Sequence, residues 1–350
     1  MGMHKVVDVH AHILLPGVMG SCGAAGPEMG FRENGTEFFR AGDYVLENVR
    51  FNNSPFSVPA QRVEKMAAMG IDMQLVSPNP LTYFYHQSKQ SAIEFNKKQN
   101  DEIAAVCSTH SQLVGAASLP LQDPQASCEE LNRAVGTLGL VCSYIGTDVN
   151  GLALSDPQFE ELWSEHERLG VPVVIHPGPR GSYQKPDAFF DKWELDVIYG
   201  FAIDEGLAVS HLLFAGVLDR HPNLHVHIAH GGGFAPYQKG RLMAALDKRP
   251  FGKDLLNRSF ADQWAQLSFD TAVHRSVQVI ARDPDADIAR QKAVQVFKAL
   301  QEEQNEDGRV DFTSERWGQV YLRQPPFFLK RDENNRTYYA FNIGITTTIE

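Results

Sequence analysis

Cysteine is scarce in this chain of 350 residues: only Cys22, Cys107, Cys128 and Cys142, with no CxxC pair among them. That spacing excludes a disulfide frame and a zinc knuckle, and the four read as reduced thiols. Positive charge is in deficit as well, 32 Lys and Arg against 43 Asp and Glu, for a net charge of −11. An acidic surface argues against nucleic acid or membrane as the partner. No basic, apolar, small-residue leader is expected to open the chain, and no apolar run of about 18 residues is expected. The expectation is a soluble, cytoplasmic protein with a small-molecule partner. Internal repeats and low-complexity stretches are lacking too. Apolar residues are plentiful, at 43% of the chain, enough for a full core. One domain over 1–350 is expected, since α/β barrels run well past about 200 residues as a single unit.

Short apolar runs alternate with helical patterns. Strands are expected at 5–12, 73–79, 113–121, 140–148, 171–178, 224–232 and 265–272, and helices at 59–69, 88–110, 124–137, 156–169 and 234–247. Val/Ile-rich runs without polar alternation suit strands covered on both faces. Strand–helix alternation suits a parallel sheet with right-handed crossovers. Segment 16–58, rich in Gly, Asn, Phe and Pro, is too long for a simple βα loop and reads as an insertion at the barrel mouth.

The polar residues choose between a closed barrel and an open sheet. The run "VVDVHAHIL" places His10 and His12 two apart, on one side of an extended strand. His176 ends "VPVVIH", His230 ends "VHIAH", and Asp270 ends "AQLSFD". Barrel active sites gather at the C-terminal ends of several strands, whereas in an open sheet those ends lie in a row. The expected fold is therefore an α/β, TIM-type (β/α)8 barrel. His10, His12 and His176 would offer three nitrogens to a divalent metal, Zn²⁺ first, with Mn²⁺ or Co²⁺ also accepted. An open fourth position would hold water, and His230, before three glycines, is placed to act on that water or on the substrate. Taken singly, each histidine also fits a hydrogen-bonded structural residue; four of them at three strand ends carry the argument. His225 and His227 share a face with each other but have no independent support. His221 reads as a helix-end residue, and Asp8 as either a partner of a ligand or a strand-start carboxylate.

"DVHAH", "VVIHPGP", "AHGGGFAPYQKGR" and "SFDTAVH" together resemble the amidohydrolase-related decarboxylases over roughly residues 5–280. That resemblance implies a TIM-type barrel with one divalent metal held by His10, His12 and His176, and His230 as the acid/base that activates the metal-bound water. It implies non-oxidative decarboxylation of a carboxylated unsaturated or aromatic small molecule. Arg50 is similar to an arginine that pairs with the substrate carboxylate. Arg241 resembles one offered across a subunit interface in dimeric relatives, which leaves a homodimer open. Trp193 falls where an aromatic lines the pocket. Arginine forks suit carboxylates. The bland readings are a surface charge, a solvated helix residue and core packing, respectively. No strand end offers a bridging lysine, which favours one metal over a carbamate-bridged pair.

The resemblance breaks near the C-terminus. The family carries a further aspartate ligand on strand eight, in a motif like "GTDYPF", and this chain has no match. Asp311 is the nearest imitation, and Asp270 reads as a partner of the site or a substitute ligand. The eighth strand is thus expected to be atypical or incomplete, 281–350 departs from the family pattern, and 303–350 reads as a hairpin or an arm toward a partner. A hydrolase or hydratase would use the same metal-bound hydroxide, and a non-catalytic barrel relative is the alternative from a different class.

Overall fold

The computed structural model describes residues 6–178, 190, 192–249, 252 and 257–270, together with the backbone of five strands between 276 and 346. The chain divides into two compact units, Met1–Ala272 and Val273–Glu350, where the sequence suggested one domain.

In the first unit, β1 (Val7–Ile13) leads into an insertion with three short strands, β2 (Glu28–Phe31), β3 (Glu37–Ala41) and β4 (Tyr44–Glu47). These pair antiparallel in the order β2-β3-β4. The reason is local turn chemistry. Asn34-Gly35 and Gly42-Asp43 sit between the strands, and Gly35 and Gly42 take φ of 82° and 59°, which only glycine adopts cheaply. Then follow α1 (Pro59–Ala68), β5 (Met73–Pro78), α2 (Lys89–Thr109), β6 (Leu113–Ser118), α3 (Pro124–Gly136) and β7 (Cys142–Ile145). A two-strand ribbon, β8 (Asp148–Val149) and β9 (Leu152–Ala153), precedes α4 (Glu160–Leu169) and β10 (Val173–Ile175). Next come α5 (Phe201–Phe214), α6 (Val217–Arg220), β11 (Val226–Ile228), α7 (Ala235–Lys248), α8 (Phe260–Trp264) and β12 (Leu267–Phe269). Helix starts match their sequence signals. Ser88, Asp123 and Ser259 each accept a backbone N–H of the first turn, and Pro124 follows Asp123 at the first helical position.

The seven long-range strands form one parallel sheet in the order β1-β5-β6-β7-β10-β11-β12. This is the α/β, TIM-type arrangement, with seven strands among the described residues and β1 and β12 at its two edges. All seven predicted strands are present. Strands such as β7 and β10 are buried at every position, as runs covered on both faces must be. Large side chains including Trp163, Phe159, Phe95 and Leu131 fill the space between sheet and helices. The four cysteines are free, three of them buried.

One sequence expectation needs correcting. The π-helical turn Asp196–Gly200 and α5 make a 19-residue helix long and apolar enough, by length and composition, to cross a membrane. Its inner face, including Ala208, Val209, Leu212 and Leu213, packs into the barrel core, so its apolarity is that of a core helix.

The second unit holds β13 (Ser276–Asp283), β14 (Arg309–Val310), β15 (Gln319–Leu322), β16 (Phe327–Arg331) and β17 (Thr337–Thr346). They form an antiparallel sheet in the order β13-β17-β15-β14, with β16 also paired to β17. This is a sheet of its own in place of the expected hairpin or arm. Asp311 lies outside the described residues.

Candidate active site

β1 does not present its histidines by simple alternation. Its register against β5 shifts between Asp8 and Ala11, a bulge that re-aims side chains. Asp8 holds the bulge: Oδ1 accepts the His10 backbone N–H at 3.0 Å and Oδ2 accepts from Gln74 Nε2 at 2.6 Å. Buried Arg62 of α1 completes the brace, donating to Gln74 Oε1 (2.8 Å) and to the His12 carbonyl (2.5 Å). Asp8 therefore serves the backbone that carries the histidines.

The imidazoles converge. Ring centroids lie 5.1 Å apart for His10–His12 and His10–His176, and 4.8 Å for His12–His176. One potential ligand atom from each of the three lies within 4.8 Å of the others. The outward nitrogens show which atoms those are. His10 Nδ1 donates to Asp270 Oδ2 at 2.7 Å, and His176 Nδ1 donates to the Pro177 carbonyl at 2.6 Å. A carboxylate and a carbonyl only accept, so both Nδ1 atoms carry the proton and both Nε2 atoms keep a lone pair. His12 Nδ1 lies 3.1 Å from Ser77 Oγ and 3.4 Å from the Tyr144 hydroxyl. Tyr83 anchors the strand end below, its hydroxyl donating to the His176 carbonyl at 2.8 Å. His176 Nε2 is buried and has no hydrogen-bond partner among the described residues. An orphaned buried lone pair beside two further imidazoles is what a metal-ligand set looks like without its ion, so the residues fit a divalent metal. Burial, then the neighbouring His10 and His230 rings, holds His12 down to about 3, and burial, then the His12, His230 and His10 rings, holds His176 well below its usual range. Neutral imidazole is the form a metal requires. Among the described residues no carboxylate joins this trio as a ligand: Asp270 is spent on His10 and also lies 3.6 Å from His227 Nε2.

His230 stands beside the cluster, 4.5 Å from His176 and 4.9 Å from His10 between ring centroids. Its support is separate. His230 has φ 48°, in the left-handed region, and Gly231, Gly232 and Gly233 follow at 70°, 70° and 57°. Two of these glycines are required by packing: a Cβ on Gly232 would meet the Phe269 ring at 2.4 Å, and one on Gly233 would meet the Ala202 carbonyl at 2.1 Å. The run is a tightly seated turn. Beneath it Glu205 of α5, fully buried, places Oε1 2.7 Å from His230 Nδ1.

Sequence reasoning missed Glu205 and Phe201, and set aside His227. The Phe201 ring lies 5.4 Å from His230 and 6.0 Å from His176, walling the site where Trp193 was expected. The available signal for Glu205 was an acidic residue inside the apolar run "FAIDEGLAVSHLLF", where a charge needs a reason. Three expected substrate contacts are not brought here. Trp193 is 79% exposed. Arg50 lines a shallow pocket of about 420 Å³ on the insertion, with Glu37 and Asn48. Arg241 lines a groove of about 850 Å³ along α7, with Phe214, Phe234 and Lys248. Among the described residues no hydrogen bond, ion pair or ring contact links any of the three to the histidines.

Comparison with known proteins bears on this site. The amidohydrolase family model matches residues 7–291, and a second model, bacteriophage tail terminator protein, matches residues 266–349. The second match falls where the strand-eight motif was missing. The chain is similar to a 2-amino-3-carboxymuconate-6-semialdehyde decarboxylase of Dictyostelium discoideum, 34% identical over 193 residues, 55% of this chain and 53% of that protein. The match thus spans about half the length of that relative. A crystal structure of 2,6-dihydroxybenzoate decarboxylase complexed with 2,6-dihydroxybenzoate aligns at TM-score 0.62 and 25% identity, covering 78% of this chain and 82% of that one. A dihydroxybenzoic acid decarboxylase from Polaromonas sp. JS666, with bound manganese and the inhibitor 2-nitroresorcinol, shares the fold at TM-score 0.60 and 19% identity, covering 76% and 78%.

Proposed function

This chain belongs to the amidohydrolase family, and from that premise we propose that it is a non-oxidative decarboxylase of a carboxylated aromatic or unsaturated small molecule, dependent on one divalent metal. The observation that carries the reading is the pairing of a three-imidazole set, with His176 Nε2 orphaned, and a fourth imidazole independently supported by Glu205. His10, His12 and His176 would hold the metal. When bound, it supplies Lewis-acid stabilisation of negative charge and lowers the pKa of water. Zinc is the first assignment on donor chemistry, with manganese or cobalt tolerated by the same donors.

The chain's own groups do the rest. Asp270 fixes the tautomer and orientation of His10. The Phe201 ring walls the site beside His230, where it would exclude water and strengthen electrostatic contacts. His230 is the acid/base: it would place a proton on the substrate carbon that bears the carboxylate. The carbon–carbon bond then breaks, its electron pair returns to the ring or diene, and CO2 leaves. The decarboxylase relatives favour this outcome over water addition. Among the described residues no hydrogen bond, ion pair or ring contact joins Arg50, Trp193 or Arg241 to the histidines, and the three take no part in this reading.

The test is metal content together with CO2 release from hydroxybenzoates and carboxylated dienoic acids, in wild type and His176→Ala. About one metal per chain with CO2 release, both lost in the variant, supports the assignment. Metal uptake with water addition and no CO2 would move the chain to the hydratases. Failure to take up Zn²⁺ or Mn²⁺ would end the catalytic reading.

A further inference from the structure

We propose that Tyr144 is a positioning residue for the metal ligands: its ring, supported by Tyr83 and Tyr85, sets the spacing of His12 and His176. The proposal rests on the metal-centre reading above and names what holds that centre in shape.

Two of the three ligand rings are tied through Nδ1 to a close partner. His10 meets Asp270 at 2.7 Å, and His176 meets the Pro177 carbonyl at 2.6 Å. His12 has looser ties, 3.1 Å to Ser77 Oγ and 3.4 Å to the Tyr144 hydroxyl. Its orientation therefore depends more on what its ring packs against. Tyr144 is buried on β7, between β6 and β10 in the sheet, and it touches both ligands. Its ring centroid lies 5.9 Å from His12, edge to face at 70°, and 5.5 Å from His176 at 36°. Ring contacts of this kind have preferred geometries, so the tyrosine resists rotation of either imidazole.

Tyr144 is itself held. Tyr83 stacks on it at 5.9 Å and 28°, and Tyr85 stacks on Tyr83 at 5.3 Å and 11°, all three rings being buried. The two supporting hydroxyls are fixed to strand ends. That of Tyr83 lies 2.8 Å from the His176 carbonyl and 3.2 Å from the Ile145 carbonyl, and that of Tyr85 accepts the Gly146 N–H at 3.0 Å. Backbone strain goes into this arrangement. Between the two tyrosines Phe84 takes φ 49°, in the left-handed region that a bulky residue avoids, and its ring packs on Phe95 of α2 at 4.8 Å. Gly146 lets the stack close up: a Cβ there would come within 3.1 Å of the Tyr85 ring and 3.6 Å of the Tyr83 ring. A ring so confined is a fixed wall, and truncating it opens a void into which the imidazoles can turn.

Tyr144→Leu removes the ring and Tyr144→Phe keeps it, and both are read in metal binding, without turnover. Competition with a chromophoric chelator gives the affinity for Zn²⁺ and Co²⁺, and the visible bands of the Co²⁺ protein report ligand geometry. Tyr144→Leu should lose roughly ten- to a hundredfold in metal affinity, the loss typical when a group that orients a ligand is removed, and should shift the Co²⁺ bands. Tyr144→Phe should keep both near wild type, since the ring is what sets the spacing. Leu131→Ala, a buried truncation on α3, controls for lost stability and should leave affinity and bands unchanged. If Tyr144→Leu does not fold, Gly146→Ala displaces the same tyrosines more gently and should shift the bands with a smaller loss of affinity. Wild-type affinity with unchanged bands in Tyr144→Leu overturns the proposal, as do unchanged bands in Gly146→Ala where it stands in. An equal loss in Tyr144→Phe also overturns it, by assigning the effect to the hydroxyl, and an equal loss in Leu131→Ala does so by reducing it to general destabilisation. Wild type that takes up neither ion ends the metal-centre reading and this proposal together. Wild type that binds metal no better than Tyr144→Leu ends this proposal alone.

Discussion

His166 and His176 are both deeply buried, at 0% and 2% exposure, and burial pushes both well below the usual histidine range. They differ in one respect. His166, on α4, shares Nδ1 with the Leu162 carbonyl at 2.8 Å and Nε2 with Ser143 Oγ at 2.7 Å. His176, at the end of β10, has Nδ1 satisfied and Nε2 unpartnered. His221 repeats the lesson with carboxylates: both ring nitrogens are taken, by Glu167 at 2.9 Å and Glu160 at 3.0 Å, binding α4 to the loop after α6. A buried histidine with a shifted pKa, or one beside acids, is thus not by itself a site. What marks the strand-end cluster is incomplete satisfaction in a place where three rings meet.

The sharpest way to break that contrast is to truncate each ring. His176→Ala should remove the metal and with it all measurable CO2 release, read by metal analysis and a CO2 assay; chelation of wild type should do the same. His230→Ala should retain the metal and lower kcat roughly a thousandfold, because it removes only proton transfer. Metal loss in that variant would place His230 among the ligands and redraw the site. Gly233→Ala drives a methyl into the Ala202 carbonyl at a residue with φ 57°. It should cost about 1–3 kcal/mol in chemical denaturation and reduce activity by displacing His230, with the metal retained. His166→Ala should leave metal stoichiometry and activity intact in the folded protein but destabilise it by about 2–4 kcal/mol, since it opens a cavity and orphans Ser143 Oγ.

The remaining effect is a pH slope. Burial holds His166 at about 4 in the folded chain against 6.5 unfolded. The unfolded state binds the proton first as pH falls, so stability is complete above about pH 6.5 and is lost toward pH 4, by about 3 kcal/mol. Urea unfolding of metal-free protein across that window should show the slope, and His166→Phe should flatten it. An unchanged slope in the variant would assign it to other groups.

Much of this was legible along the chain. Each of the seven apolar runs became a strand of the sheet, because a strand buried on both faces writes itself as an uninterrupted run. His10, His12, His176 and His230 could be singled out because barrel strands deliver their C-terminal residues to one place. The insertion over 16–58 was read, but its three strands were missed although Asn34-Gly35 and Gly42-Asp43 announce their turns. α5 was missed because a helix packed into the core loses the amphipathic stripe that betrays surface helices.

What the sequence determined alone was the order of elements and the residue types at strand ends, since local propensity, turn chemistry and periodicity act over a few neighbours. What only the tertiary structure decided was who meets whom. Asp270 reaches His10 across 260 residues, and Glu205 rises under His230 from a helix that looked merely apolar. Those outcomes depend on strand order, a bulge in β1 and the close seating of a glycine turn on α5. They are properties of packing in three dimensions, which no stretch of neighbouring residues encodes by itself.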